Sequence, residues 1–268
     1  MANLDALISS VMKDGYSERN AAAKVCQDIV LKAISASSFG DHITVKGGVV
    51  MRSITGNVRR ATQDMDLDFI RYSLEDESIR RFIERLNCLE GIQIRISAPI
   101  EELSQQEYNG KRVFVMIRDD TGHALQSKID LGVHKQVQIE QDEYCFDVCM
   151  DDEGASLLIN SKEQIFAEKL RSLLRFGPLS TRYKDIFDLC YLSSHTDPDK
   201  LLHCIDTYIL SDSGMRENDM ASIQRRVRQT FSNRTYRQRL ERSESANWLG
   251  LAPTEVMDRL LAYLMELA

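Results

Sequence analysis

The 268-residue sequence lacks the cysteine spacing of a zinc knuckle or a redox pair. Its six cysteines, Cys26, Cys88, Cys145, Cys149, Cys190 and Cys204, form no Cys-x-x-Cys pair, and no histidine stands at ligand spacing to them. Reduced core thiols are the expectation. The five histidines are scattered and point to no site. No apolar run approaches the roughly 20 residues that cross a bilayer, so no membrane partner is expected. The opening "MANLDALISSVMKDG" has no basic region leading into an apolar core. No signal peptide is therefore expected, and the protein is expected in the cytoplasm. Positive charge is not in excess either. A net charge of −7 excludes a generally basic nucleic-acid coat, though not a local basic groove. Repeats, low-complexity tracts and long linkers are missing too.

What is present is a large supply of core: 43% of the residues are hydrophobic. The length suits one large domain or two ordinary ones. Ser17 caps a helix running to about Ser37, with Val25, Ile29 and Ala33 on one face. "HITVK" alternates as a strand and runs into Lys46-Gly47-Gly48, after which "VVMRSIT" suits a short helix. "DMDLDFI" is a second strand, and "SLEDESIRRFIERLNCLEG" an amphipathic helix stopped at Gly91. "IQIRIS", "KRVFVMI" and "ALQSKIDLGV" are further strands, with turn chemistry at Asn109-Gly110 and Asp119-Asp120-Thr121-Gly122. "YCFDVCM" is one more. From Ser161 the period becomes helical, opening on a capping box from Ser161 to Gln164. Fold class α+β follows, with residues 1–155 as a mixed-sheet domain flanked by helices and 156–268 as an all-helical half.

The distinctive stretch is "VKGGVVMRSITGNVRRATQDMDLDFIRY". Side chains alternate along a strand, so Asp64, Asp66 and Asp68 share one face and Met65, Leu67 and Phe69 the other. A solvated strand face is the plain explanation. Against it, all three acids are Asp, a short and rigid ligand, and they follow a double glycine. Like charges about 7 Å apart repel unless a cation lies among them. Gly47-Gly48 allows close backbone approach, and the helix after it would aim amides at a phosphate. Carboxylates suit the hard cations that accompany polyphosphates. A two-metal site needs an acid from a neighbouring strand. Asp130 offers it, with Lys128 on its own face and Ile129 and Leu131 on the core side.

These features together resemble the nucleotidyltransferase fold of the DNA polymerase β superfamily: Gly47-Gly48, then Arg60-x-Thr62-x-Asp64-x-Asp66, then Asp130 in "KIDLGV". "FAEKLRSLLRFGPLSTRYKDIFDLCYL" is similar to the downstream signature of the AbiEii/AbiGii toxin-like nucleotidyltransferases. The resemblance implies Asp64, Asp66 and Asp130 as catalytic metal ligands, with two Mg2+, or Mn2+, as cofactors. Asp130 or Asp188 would receive the acceptor's proton. It implies substrate contacts at Lys46, Gly47, Gly48, Thr62, Lys169 and Asp185, with Lys169 also catalytic and on the nucleotide phosphates, and a helical half that completes the site. Asp68 faces the same way but sits one pleat further on. The implied reaction moves an NMP from an NTP, GTP among the candidates, to RNA or tRNA, in the toxin of a toxin–antitoxin or phage-defence pair, with an antitoxin protein as the partner.

Basic material for RNA is concentrated in "RRVRQTFSNRTYRQRLER", where Arg225, Arg226, Arg228, Arg234, Arg237, Arg239 and Arg242 interleave with Phe231 and Tyr236. Arginine with aromatic rings suits backbone contact and base stacking. A salt-bridged helix face or an acidic antitoxin dock would use the same residues. Two rivals compete for the whole chain: a D-x-D glycosyltransferase, and an inactive nucleotide- or RNA-binding module. The upstream glycine turn and downstream Lys169/Asp188 signature disfavour the first, and the intact acid set the second.

Overall fold

Ser17 opens the long helix α2, Glu18–Ala36, by accepting a hydrogen bond from the Asn20 amide, and Ser37 closes it. The computed structural model describes residues 3–103, 110–136 and 138–267. They fall into two units, Met1–Asn160 and Ser161–Ala268. In the first, helix α1, Leu4–Lys13, precedes α2. The sheet strands are β1 Ile43–Lys46, β2 Met65–Phe69, β3 Ile92–Ile96, β4 Glu101–Leu103, β5 Gly110–Asp119, β6 Ala124–Val133, β7 Asp142–Phe146 and β8 Ala155–Ile159. Their order is β3-β5-β6-β2-β1-β8-β7, with β4 also on β5. The pairings β2–β6 and β1–β8 are parallel and the others antiparallel.

Helix α3, Gly47–Thr55, begins at the first glycine, two residues before the expected start. Helix α4, Asp76–Arg85, ends well before Gly91. Asn87 is the reason. Its amide donates to the carbonyls of Ile83, Glu84 and Ile94 and accepts from the Ile94 amide, turning the chain into β3. Phe82 of α4 meets Phe69 of β2 edge-on at 5.3 Å, so the apolar face of β2 lies in the core. The Asp119–Gly122 turn joins β5 to β6 as expected. Asn109 lies outside the described residues. Strand β8, Ala155–Ile159, is paired with both β1 and β7.

The second unit is helical: α5 Lys162–Phe176, α6 Tyr183–Leu192, α7 Pro198–Ile205, α8 Met220–Ser232, α9 Arg234–Glu241 and α10 Pro253–Glu266. Ser161 caps α5 by accepting from the Gln164 amide. The arginine segment is two helices because Asn233 ends α8 and caps α9, accepting from the Tyr236 amide. No described helix is long and apolar enough to cross a membrane. All six cysteines are free; Cys88 and Cys145 are exposed, so the expectation of core thiols fails for these two. Burial pushes the thiols of Cys26, Cys149 and Cys204 up to about 12, which keeps them protonated at neutral pH.

Candidate active site

Strand register lines up one row of charge across four strands. Lys46 on β1 stands opposite Asp66 on β2, Asp66 beside Asp130 on β6, and Asp130 opposite Arg112 on β5. Arg112 donates from Nε and Nη2 to the two oxygens of Asp130, both at 2.8 Å. One row further along, Asp68 pairs in register with Thr44 and Gly132. Asp68 is buried, with its Oδ1 2.7 Å from Lys46 Nζ. Glycine is required at 132 because a side chain there would run into that carboxylate. Asp64 lies just before β2, half exposed, with Lys128 Nζ 2.8 Å from its Oδ1. On the opposite face Ile129 and Leu131 are buried, as alternation requires.

The double glycine has its own local cause. Gly47 has φ +66°, a region that disfavours side chains, and an added Cβ would lie 2.5 Å from Asp66 Oδ2. At Gly48 an added Cβ would lie 2.5 Å from Thr62 Oγ1. The turn is therefore stripped of side chains so that Thr62 and Asp66 can occupy the space at the start of α3. Behind this, Gln27 of α2 donates its amide to the carbonyls of Thr62 at 3.1 Å and Asp64 at 3.3 Å. Its oxygen accepts from Arg52 of α3, which is ion-paired to the fully buried Asp28. This chain of contacts fixes the backbone leading into β2. Lone polar residues within helices carried no sequence signal for it.

In the second unit, Lys169 of α5 meets two acids of α6. Its Nζ lies 2.5 Å from Asp185 Oδ1 and 2.9 Å from Asp188 Oδ2. Arg182 binds the other oxygen of Asp185 at 2.6 Å, and Trp248 Nε1 donates to Asp188 Oδ1 at 2.9 Å. Lys169 is 6% exposed and Asp188 0%, so none of this is a solvated helix edge. Both oxygens of Asp188 are engaged, one by Lys169 and the other by Trp248. The partner missed from sequence is Trp248, whose link to α6 spans 60 residues.

Structural likeness is distant. An antigenic nucleotidyltransferase-like protein from Paracoccidioides brasiliensis is 14% identical with a TM-score of 0.47, covering 80% of this chain and 92% of that one. The antibiotic-resistance factor ANT(2'')-Ia is 15% identical with a TM-score of 0.42, covering 69% and 92%. None of the curated proteins matches. The family model described as nucleotidyl transferase AbiEii toxin, type IV toxin–antitoxin system, matches residues 29–249. The chain belongs to the AbiEii family. It is a nucleotidyltransferase with a mixed α+β fold, and the glycosyltransferase reading falls. The AbiEii match includes both the acidic row and the Lys169 cluster.

Among the described residues, no three His, Cys, Asp or Glu are gathered as they would be around a metal ion. Asp64 and Asp130 each face a cation from β5 or β6 instead. The donor set itself suits a hard divalent cation: carboxylates only, with Asp66 and Asp130 in register and Asp64 one pleat before. Of the arginine segment, Arg225, Arg228, Arg234, Arg237, Arg239 and Arg242 are exposed. Among the described residues the guanidinium groups of Arg234, Arg237, Arg239 and Arg242 have no ion-pair partner, which removes the salt-bridged-face explanation. Phe231 and Tyr236 are buried, so neither is free to stack on a base.

Proposed function

We propose that this nucleotidyltransferase moves an NMP from an NTP, GTP among the candidate donors, onto an RNA acceptor such as tRNA. It would act in the cytoplasm as a toxin restrained by an antitoxin. The observation that carries the reaction is the register of Asp66 with Asp130, beside a glycine turn shaped around Asp66 and Thr62. Asp64, Asp66 and Asp130 would hold Mg2+, a pair of ions in the resemblance, with Mn2+ as substitute; bound there, the metal would neutralise charge on the α-phosphate and leaving group. The amides of Gly47 and Gly48 open α3 and suit phosphate oxygens. Lys46 and Thr62 line the same turn. Lys169, held by Asp185 and Asp188, is the proposed phosphate contact of the helical unit. The acceptor hydroxyl attacks the α-phosphorus, its proton passing to Asp130 or Asp188. The bond to the bridging oxygen breaks, and pyrophosphate leaves with that electron pair. Positioning and charge neutralisation supply the rate.

Support for RNA comes from the exposed, unpaired arginines of α9. Incubating the purified protein with α-labelled NTPs, total RNA and Mg2+ tests the reading. Label should pass to RNA with release of pyrophosphate, and should not do so in Asp66→Ala. Label transfer to protein alone would remove RNA as acceptor, and no NTP turnover with any acceptor would remove the reaction.

A further inference from the structure

Two cations of the acidic face have no part in the function proposed above. Arg112 clamps both oxygens of Asp130, and Lys128 holds Asp64. Register makes them permanent neighbours: Arg112 is the direct cross-strand partner of Asp130, and Lys128 stands two residues before Asp130 on its own face. A bidentate guanidinium occupies the same oxygens a metal would need. Asp130 is nearly buried, with its side chain 9% exposed, and such a carboxylate cannot stand bare without large cost. One cation must therefore leave as another arrives. The leaving groups have somewhere to go, because the side chains of Arg112 and Lys128 are 29% and 32% exposed. Their chemistry also fits a second use, since a guanidinium that forks onto a carboxylate forks equally well onto a phosphate.

We propose that Arg112 and Lys128 are built-in counter-ions of the metal-free site, displaced from Asp130 and Asp64 by the divalent metal and thereby freed to bind the triphosphate. Metal binding then creates the nucleotide site and is its precondition. This rests on the nucleotidyl-transfer reading. They are positioning residues for the carboxylates before the metal arrives and substrate contacts after it.

The test uses Arg112→Met and Lys128→Met in the full chain, which keep the stems and remove the charges. Titration calorimetry with Mg2+ or Mn2+ alone should show each variant binding metal about tenfold more tightly than the parent, the scale of one pKa unit of charge interaction. Binding of a non-hydrolysable NTP analogue at saturating metal should weaken by about tenfold or more. A purely structural role would lower both affinities together. An unfolding curve for each methionine variant establishes that it is folded before titration, and Arg112→Lys and Lys128→Arg, which keep the charge, should retain parental metal affinity. Metal affinity that is unchanged or weaker in both methionine variants, or unchanged nucleotide affinity, overturns the proposal. A parent that binds no divalent metal and turns over no NTP overturns the reading beneath it. A parent that does both, with methionine variants that behave like it, sinks the counter-ion role alone.

Discussion

At Gly47 a φ of +66° strains any side chain, and an added Cβ would also press on the carboxylate of Asp66. Gly47→Ala should therefore cost about 1–3 kcal/mol in denaturant unfolding through backbone strain, and should displace Asp66 enough to depress transfer. Asp66→Ala should abolish NTP-dependent transfer and leave the circular dichroism of the parent. Normal turnover would end the carboxylate mechanism. A lone helix lysine suggests a surface residue of little weight in folding, but Lys169 is buried between two acids. Removing one partner of a buried ion pair strands the other charge. Lys169→Ala should destabilise the second unit by about 3–5 kcal/mol. Its activity loss is therefore to be scored only on folded protein, by nucleotide affinity beside an unfolding curve. An unfolding curve that overlays the parent's would return Lys169 to a surface role.

Elements owe their limits to contacts their own sequences do not contain. Helix α1 is tied down from 115 residues away: the Leu4 amide donates to Asp119 Oδ2 at 2.9 Å, while Thr121 and His123 donate to Oδ1. These bonds, that from Leu4 foremost, hold the Asp119 carboxyl below its usual range. A depressed carboxyl contributes stability that is complete above the ordinary carboxylate range and lost as pH falls through the lowered value. Hydrogen exchange in α1 should accordingly rise in acid, below the ordinary carboxylate range. Asp119→Asn should show raised exchange at neutral pH and a flatter pH response. Equal profiles would deny the tether. Strand β8 is a comparable case. Its five residues are held by β1, far from them in sequence, in parallel register on one side and by β7 in antiparallel register on the other.

Across the whole molecule, charge is unevenly spread. The sum is −7, but α9 presents unpaired arginines to solvent. An acidic molecule with one basic helix should bind a polyanion through that helix and repel it elsewhere. Replacing Arg234, Arg237 and Arg239 together by Ala should weaken RNA binding and flatten its dependence on salt, since each lost phosphate contact removes a released counterion. NTP affinity should not move. Stability should change by no more than about 0.5 kcal/mol per site, because exposed unpaired side chains contribute little. If instead RNA transfer survives and antitoxin inhibition is lost, the helix is a protein dock. An unchanged salt slope with unchanged RNA affinity would remove the RNA role.

From the sequence alone came the α+β front and helical back, the acidic strand, and the candidate set Lys46, Gly47, Gly48, Thr62, Asp64, Asp66 and Asp130. Strand alternation and helical period are local rules, and a motif spaced over a few residues obeys them. The same rules do not say which strand lies beside which. Only the tertiary structure put Arg112 on Asp130, Gln27 behind Thr62 and Asp64, and Trp248 on Asp188. It also buried Phe231 and Tyr236, whose interleaving with arginine had suggested base stacking. Hydrogen bonds and burial between residues 18 to 121 apart depend on how the chain closes on itself. That closure is set by the sum of the core's packing, not by the identity of either partner.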